Sequence, residues 1–124
     1  MRKVSGFTII ELVAVILILG ILAAVAVPQV VSLKTESKTA VVKGVAGAVA
    51  SGSALNYAKK QSGATGYSTI SDCSQTAVLL VGGAFPTDVG VAALTIADAG
   101  SASCTFSYSG DAAATGSASV IGSS

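Results

Sequence analysis

Hydrophobic residues are concentrated near the start of the chain. Across residues 7–27 only Thr8 and Glu11 interrupt a run of 21 residues that is otherwise apolar or glycine. As an α-helix this run would be about 32 Å long, at about 1.5 Å per residue, which matches the roughly 30 Å hydrocarbon core of a bilayer. Because backbone groups inside lipid must be satisfied within the segment, the pattern predicts a membrane-spanning helix.

Beyond Pro28 the apolar positions become periodic, at spacings of 4, 3, 4 and 3 residues. They are Val41, Val45, Ala48, Gly52 and Leu55. Charged residues occupy positions that we assign to the opposite face, namely Lys34, Glu36, Lys38 and Lys43. This spacing predicts an amphipathic helix over residues 28–60, with the apolar face against a core and the charged face in water.

Three local signals refine this helical prediction. Pro28 lacks an amide donor and clashes with the preceding turn, so we expect a kink near residues 24–28. Lys59 and Lys60 suit the negative C-terminal end of the helix dipole, and Gly63 follows them. Three helical glycines cost about 1 kcal/mol each relative to alanine. These glycines are Gly44, Gly47 and Gly52. They allow another element to approach closely, or they leave the helix weak.

The remaining residues, 61–124, are rich in Ser, Thr, Gly and Ala and predict a small antiparallel sheet packed on the second half of the helix, an α+β fold. Residues 75–81 fit either a short helix or a strand. Strands are expected at residues 93–97, 104–108 and 117–121, with turns at 98–100 and 109–111. The low-complexity tail, residues 110–124, is expected to be partly mobile.

The two cysteines, Cys73 and Cys104, both follow the membrane segment. An even number of cysteines in an exported domain predicts one disulfide, worth about 3 to 4 kcal/mol for a loop of about 30 residues.

Charge and composition argue against several functions. The chain has seven Lys and Arg, six Asp and Glu and no His, so the usual general base, the His-activated nucleophiles and His metal sites are excluded. No basic surface is available to neutralise nucleic-acid phosphates. We therefore expect no catalytic residues, no cofactor, no metal and no nucleic-acid partner.

The N-terminal flank carries Arg2 and Lys3, and basic residues keep such a flank in the cytoplasm. The rest of the chain is then expected on the outer side of the membrane. An ordinary secretory signal peptide is an alternative, because Ala24-Val25-Ala26 fits a cleavage site before Val27. That alternative predicts a soluble exported binding domain. Glu11 inside the apolar run argues against it, because an intramembrane carboxylate is costly and calls for a specific partner.

The sequence Gly6-Phe7-Thr8-Ile9-Ile10-Glu11, after a short basic leader and before a long apolar run, resembles the processing signal of type IV pilins and related pseudopilins. The resemblance implies that a prepilin peptidase removes residues 1–6, cutting between Gly6 and Phe7, and methylates the new amine of Phe7. It also implies that Glu11 meets this amine on a neighbouring subunit during assembly. Gly20 and Pro28 fall where pilins often carry residues that make the helix flexible.

This resemblance implies a helical homopolymer built from the chain itself, with an inner-membrane pilus assembly platform as a further partner. The subunit would wait in the inner membrane, with its N-terminus cytoplasmic and the head periplasmic, before entering an extracellular pilus. The filament would serve adhesion, motility or DNA uptake. A weaker similarity around Asn56-Tyr57-Ala58 and Ala102-Ser103-Cys104-Thr105 is to short pilins of the mannose-sensitive haemagglutinin type.

The alternative within the same family is a pseudopilin of a type II secretion system. The major pseudopilin usually carries an Arg-Tyr-Pro turn and a calcium-site loop with Asp-Pro-Trp. This chain contains no Trp and neither motif. Their absence favours a pilus subunit.

Overall fold

The computed structural model describes residues 6–124 and confirms the predicted α+β fold. Its elements are helix α1 (Ile9–Gln61), a short 3-10 helix (Cys73–Leu79), and strands β1 (Val89–Val91), β2 (Ser101–Tyr108) and β3 (Asp111–Ile121). The strands form one antiparallel sheet in the order β1-β2-β3. The structure divides into two units, one ending at Lys34 and the other running from Thr35 to Ser124.

In the first unit, every residue from Gly6 to Lys34 is exposed. Pro28 lies inside α1, which continues beyond it to Gln61 although proline has no amide hydrogen to donate. Within the described residues, α1 is the one helix long and apolar enough to cross a membrane, and its most apolar stretch is not buried by the chain. The segment that the hydrophobic run predicted is therefore present as a helix with nothing of its own chain covering it.

The core of the second unit lies between α1 and the sheet, but the helix face that packs on the sheet differs from the predicted one. The buried helix residues are Val42, Ala46, Val49, Ser53 and Asn56. The predicted face was wrong because it lies one residue away from this stripe. Val41 and Leu55 are exposed, at 46% and 67%. Two polar residues belong to the buried face because the sheet supplies them with hydrogen-bond partners, which hydrophobic periodicity does not detect.

The charged face was also assigned incorrectly at one position. Lys38 is only half-exposed and lies on the sheet side of α1, where its Nζ atom is 3.2 Å from a carboxylate oxygen of Asp111. Its long aliphatic stem allows the ammonium group to reach an acidic partner at the start of β3.

The strand predictions were partly correct. Residues 104–108 lie in β2, and residues 117–121 lie in β3, which starts earlier, at Asp111. The strand predicted at residues 93–97 is wrong, because this segment pairs with the start of the 3-10 helix instead of the sheet. Cys73 donates its amide to Leu94, and Ile96 donates to Ser71. Residues 75–81, left open between helix and strand, contribute to the 3-10 helix.

The expectation of a mobile tail is contradicted by its position in the sheet. β3 pairs with β2 along most of its length, and Ala114, Ala118 and Val120 are buried. After β3, the amide of Ser123 donates to the carbonyl of Ile70 at 2.9 Å. Small residues are needed here because the helix passes close to β3. A Cβ atom on Gly116 would lie 3.2 Å from Val42.

A disulfide joins the 3-10 helix to the sheet. Cys73 and Cys104 are bonded, fully buried, and have their Cα atoms 5.6 Å apart. The bond connects the start of the 3-10 helix to the middle of β2. The structure thus contains the disulfide that the cysteine count predicted.

Candidate functional site

The start of α1 carries a reciprocal hydrogen-bonding arrangement between Thr8 and Glu11. One carboxylate oxygen of Glu11 accepts from both the amide and the hydroxyl of Thr8, each at 2.8 Å. The amide of Glu11 in turn donates to the Thr8 hydroxyl at 3.3 Å. This is a capping box, in which two residues three apart satisfy amides that have no partner within the helix.

This cap gives Glu11 a hydrogen-bond partner inside its own chain. Its carboxylate remains exposed, and it is the one charged side chain in residues 7–27. The negative charge lies in the first turn of α1, where the helix dipole favours it. Sequence reasoning missed the part played by Thr8, although the spacing Thr-x-x-Glu before an apolar run is the usual signal for a capping box.

The residues proposed for cleavage lie immediately before the cap. Gly6 and Phe7 precede the helix, and Phe7 is 84% exposed. Gly6 has no neighbouring atoms within 4 Å of the position that a Cβ would occupy. The remainder of the predicted leader, residues 1–5, lies outside the described residues. An exposed, non-helical backbone is the conformation that a protease needs to bind a peptide bond.

The other two predicted site positions in this unit are exposed residues of α1. Gly20 has nothing within 4 Å of its virtual Cβ, and Pro28 lies within the helix. Their effect on helix flexibility stays a prediction. The structure therefore brings Glu11 together with Thr8, and the other predicted positions of the first unit are exposed: Gly6, Phe7, Gly20 and Pro28.

In the second unit, buried polar residues hold α1 in register with the sheet. The Asn56 amide nitrogen donates to the carbonyl of Ser68 at 2.7 Å and to the hydroxyl of Ser123 at 2.9 Å. Its amide oxygen accepts from the Ser68 backbone N–H at 2.7 Å. One turn earlier, the hydroxyl of Ser53 accepts from the Ile121 amide at 2.8 Å. These bonds tie the last turns of α1 to the end of the chain.

A second polar contact ties the beginning of this unit to the β2–β3 hairpin. Asp111 accepts from Lys38 at 3.2 Å and from the Thr35 hydroxyl at 3.4 Å. The hydrogen bond from Lys38 holds the pKa of Asp111 below its usual value. The same ammonium group lies 5.3 Å from the centre of the Tyr108 ring. A hydrogen bond to Asp88 raises the pKa of the Tyr108 hydroxyl.

These polar groups are satisfied within the second unit, Thr35 to Ser124, which we call the head, and they do not converge on a reaction centre. Among residues 6–124, no three His, Cys, Asp or Glu side chains lie close enough together to hold a metal ion. In the same residues, every buried side-chain nitrogen and oxygen has a hydrogen-bond partner. The distinctive chemistry of the described chain is therefore at the start of α1, where a capped carboxylate begins an exposed apolar helix.

The chain therefore combines an exposed apolar N-terminal helix with a disulfide-linked α+β unit. Comparison with known proteins gives matches to part of it. A family model for the prokaryotic N-terminal methylation motif matches residues 1–27. Residues 1–27 are thus similar to this motif, and part of the chain is similar to type IV pilins and type II secretion pseudopilins.

Two curated relatives represent both branches of this family. The type II secretion system core protein G of Pseudomonas aeruginosa is 53% identical over 49 residues, which cover 40% of this chain and 34% of that protein. The type IV narrow pilus major component PilA5 of Thermus thermophilus is 47% identical over 53 residues, which cover 43% of this chain and 46% of that protein. The matches thus span less than half of each relative. No solved structure matches the chain significantly.

Proposed function

We propose that the chain is the structural subunit of a type IV pilus, cut after Gly6 and polymerised through its N-terminal helix into a surface filament. The observation that carries the proposal is the exposed apolar helix that begins with the capped Glu11, directly after the Gly6–Phe7 bond. A homopolymer needs no cofactor and no catalytic residue. Adhesion, motility and DNA uptake are the roles such a filament would serve.

The hydrophobic effect explains why a subunit must leave the membrane and enter the filament in one step. Before assembly, lipid covers residues 7–27, with the N-terminus in the cytoplasm and the head in the periplasm. Each CH₂ group removed from water contributes about 0.8 kcal/mol, so the segment cannot leave lipid unless other apolar surfaces replace it. An inner-membrane assembly platform would extract each subunit directly into contact with the helices of subunits already in the filament.

Glu11 would change partners during this transfer. In the isolated chain its carboxylate accepts from Thr8, and in the filament it would pair with the methylated amine of Phe7 on a neighbouring subunit. Opposite charges in an apolar medium stabilise each other, and removing one of a buried pair costs about 3 to 5 kcal/mol. The pairing would thereby set the axial position of each incoming subunit.

Substitutions at Glu11 separate pairing from capping. Glu11→Gln keeps a side chain that can complete the capping box with Thr8 but removes the charge, whereas Glu11→Val removes both. We expect both variants to insert into the membrane and to be processed, and neither to form filaments, as judged by electron microscopy of sheared surface fractions. Normal filaments from Glu11→Gln would refute the charge pairing and leave only the capping role.

Processing is tested by the mass and N-terminal peptide of the mature protein from native cells. We expect a chain that starts at N-methylated Phe7, and we expect Gly6→Arg to retain the leader. A mature chain that starts at Val27 would indicate ordinary secretion, and the proposed filament would then lose its N-terminal helix.

A pseudopilin of a type II secretion system is the second candidate. The similarity to the core protein G of Pseudomonas aeruginosa favours it, and the cleavage and pairing chemistry would be the same. The two candidates differ in the filament that the subunits form. Long extracellular fibres at native expression levels support the pilus, whereas their absence, together with loss of protein secretion when the chain is deleted, supports the pseudopilin.

A further inference from the structure

Two positions of the helix face that was predicted to be core, Val45 and Ala48, line an open apolar groove. One wall of the groove is formed by Gly44, Val45 and Ala48 of α1. The other wall is the segment after the 3-10 helix, and it comprises Leu80, Val81, Gly82, Ala84, Phe85 and Pro86. The groove has a volume of about 610 Å³, and none of these residues has a polar or charged side chain. Val81 is fully exposed at its edge.

Several contacts hold the groove open in the isolated chain. The Phe85 ring packs edge-to-face on the fully buried Phe106 ring, with centroids 5.8 Å apart. The Leu80 amide donates to the carbonyl of Ala77 at 3.1 Å, and the Gly83 amide donates to the carbonyl of Leu80 at 3.0 Å. A wall supported in this way needs little reorganisation to receive a partner, which favours binding.

The chemistry of the groove indicates an apolar, uncharged occupant with a narrow cross-section. Glycine and alanine on both walls leave room for a helix backbone to approach closely. In the described residues, the matching surface is the first third of α1, residues 9–27, which is exposed, apolar and free of charge beyond Glu11. An apolar surface that leaves lipid requires another apolar surface of this kind.

We propose that this groove receives the apolar N-terminal helix of a second copy of the chain. The inference rests on the proposed polymerisation and adds the surface of the head that covers a neighbour's helix. It also gives a physical reason for the apolar side chains of the half-buried Val45 and the exposed Ala48, which line the groove. These two positions become covered in the filament and not in the single subunit.

Site-specific photo-crosslinking tests the assignment in assembled filaments. Benzoylphenylalanine is introduced at Val81 of the full chain and, as a matched control, at Leu94, which is also apolar and exposed but lies outside the groove. Each variant is co-expressed with the wild-type chain. After irradiation of sheared filaments, we expect a crosslinked dimer from position 81 that joins residues 7–27 of the other copy, and no such product from position 94.

A smaller probe tests the same surface without a bulky side chain. Val81→Cys and Leu94→Cys are treated with a water-soluble maleimide, first as membrane-anchored subunits and then as filaments. We expect labelling at position 81 to fall about tenfold on assembly, the order of magnitude that 1.4 kcal/mol of protection produces, and labelling at position 94 to stay unchanged.

The outcomes separate the inference from the function on which it rests. If the wild-type chain forms no filament, the proposed function fails. If filaments form but position 81 crosslinks only to another head, or is labelled equally in both states, the groove assignment is overturned. Protection at position 81 together with a crosslink to residues 7–27 supports both.

Discussion

The glycines of α1 offer the sharpest test of the head's packing, because two of them occupy opposite environments. A Cβ on Gly52 would lie 2.8 Å from the carbonyl oxygen of Leu79 and 3.0 Å from its Cβ, whereas a Cβ on Gly47 would meet nothing within 4 Å. The same substitution by alanine should therefore have opposite effects at the two positions. Gly47→Ala serves as the matched control for Gly52→Ala.

The magnitudes follow from two competing terms. Alanine is favoured over glycine in a helix interior by about 1 kcal/mol, so Gly47→Ala should stabilise the chain by about 0.5 to 1 kcal/mol. At Gly52 the same gain is opposed by overpacking against a backbone oxygen, which costs about 1 to 3 kcal/mol. We expect Gly52→Ala to destabilise the head by about 1 kcal/mol, which places the two variants about 2 kcal/mol apart.

The free energy of unfolding can be measured on the full chain in detergent micelles by urea titration. Tyr57, Tyr67 and Tyr108 all lie in the second unit and report its unfolding by fluorescence. With an unchanged slope, a shift of the midpoint reports stability directly. If Gly52→Ala stabilised the head as much as Gly47→Ala, the close approach of the 3-10 helix to α1 would be refuted.

Three further variants test the other contacts of the head in the same titration. Asn56→Ala should lower stability by about 1 to 3 kcal/mol, because it leaves the half-buried Ser68 amide without its acceptor and removes a donor to the buried Ser123 hydroxyl; a change below 0.5 kcal/mol would contradict this role. Because the pKa of Asp111 is lowered in the fold, its contribution is present above the ordinary aspartate pKa and disappears as pH falls through the lower folded value. Asp111→Asn should therefore lower the urea midpoint at pH 7, and its difference from the wild-type midpoint should become smaller below about pH 4. The same pH dependence of the midpoint in both proteins would contradict this contribution of Asp111. Replacing Cys73 and Cys104 by serine should cost about 3 to 4 kcal/mol, given their separation of 31 residues, and an unchanged midpoint would argue against that estimate.

Periodicity predicted the long helix but assigned the wrong face to the core. The stripe through Val41, Val45 and Leu55 is the more hydrophobic one, and hydrophobicity alone selects it. The sheet instead packs on the stripe through Val42 and Val49, because that stripe also presents Ser53 and Asn56 to hydrogen-bonding partners on distant segments. A pattern of apolar positions indicates that a helix face is buried. It does not indicate whether the same chain or a second copy covers that face.

Local propensity failed in a similar way at the strands. Residues 93–97 alternate apolar and polar side chains well enough to suggest a strand, yet they pair with the beginning of the 3-10 helix. The low-complexity tail looked mobile because Ala, Gly and Ser have weak strand preferences. It is ordered as β3 because it pairs with β2 and its small side chains leave room for the helix, since a Cβ atom on Gly116 would lie only 3.2 Å from Val42.

The sequence by itself determined the features that depend on composition and short spacing. These are a largely apolar run of 21 residues, the one charged residue within it, the resemblance to a processing motif around Gly6 and Phe7, and a pair of cysteines after the run. Lipid and solvent act on such features directly, so no neighbouring segment is needed to interpret them.

Only the tertiary structure decided which face of α1 meets the sheet, which partner each buried polar group has, and which apolar face remains open. These properties depend on segments that are far apart in sequence. Ser53 meets Ile121 across 68 residues, and Asn56 meets Ser123 across 67. Their contacts form only when the chain has closed around its core, because the net gain from each hydrogen bond is small compared with the entropy of bringing such distant groups together.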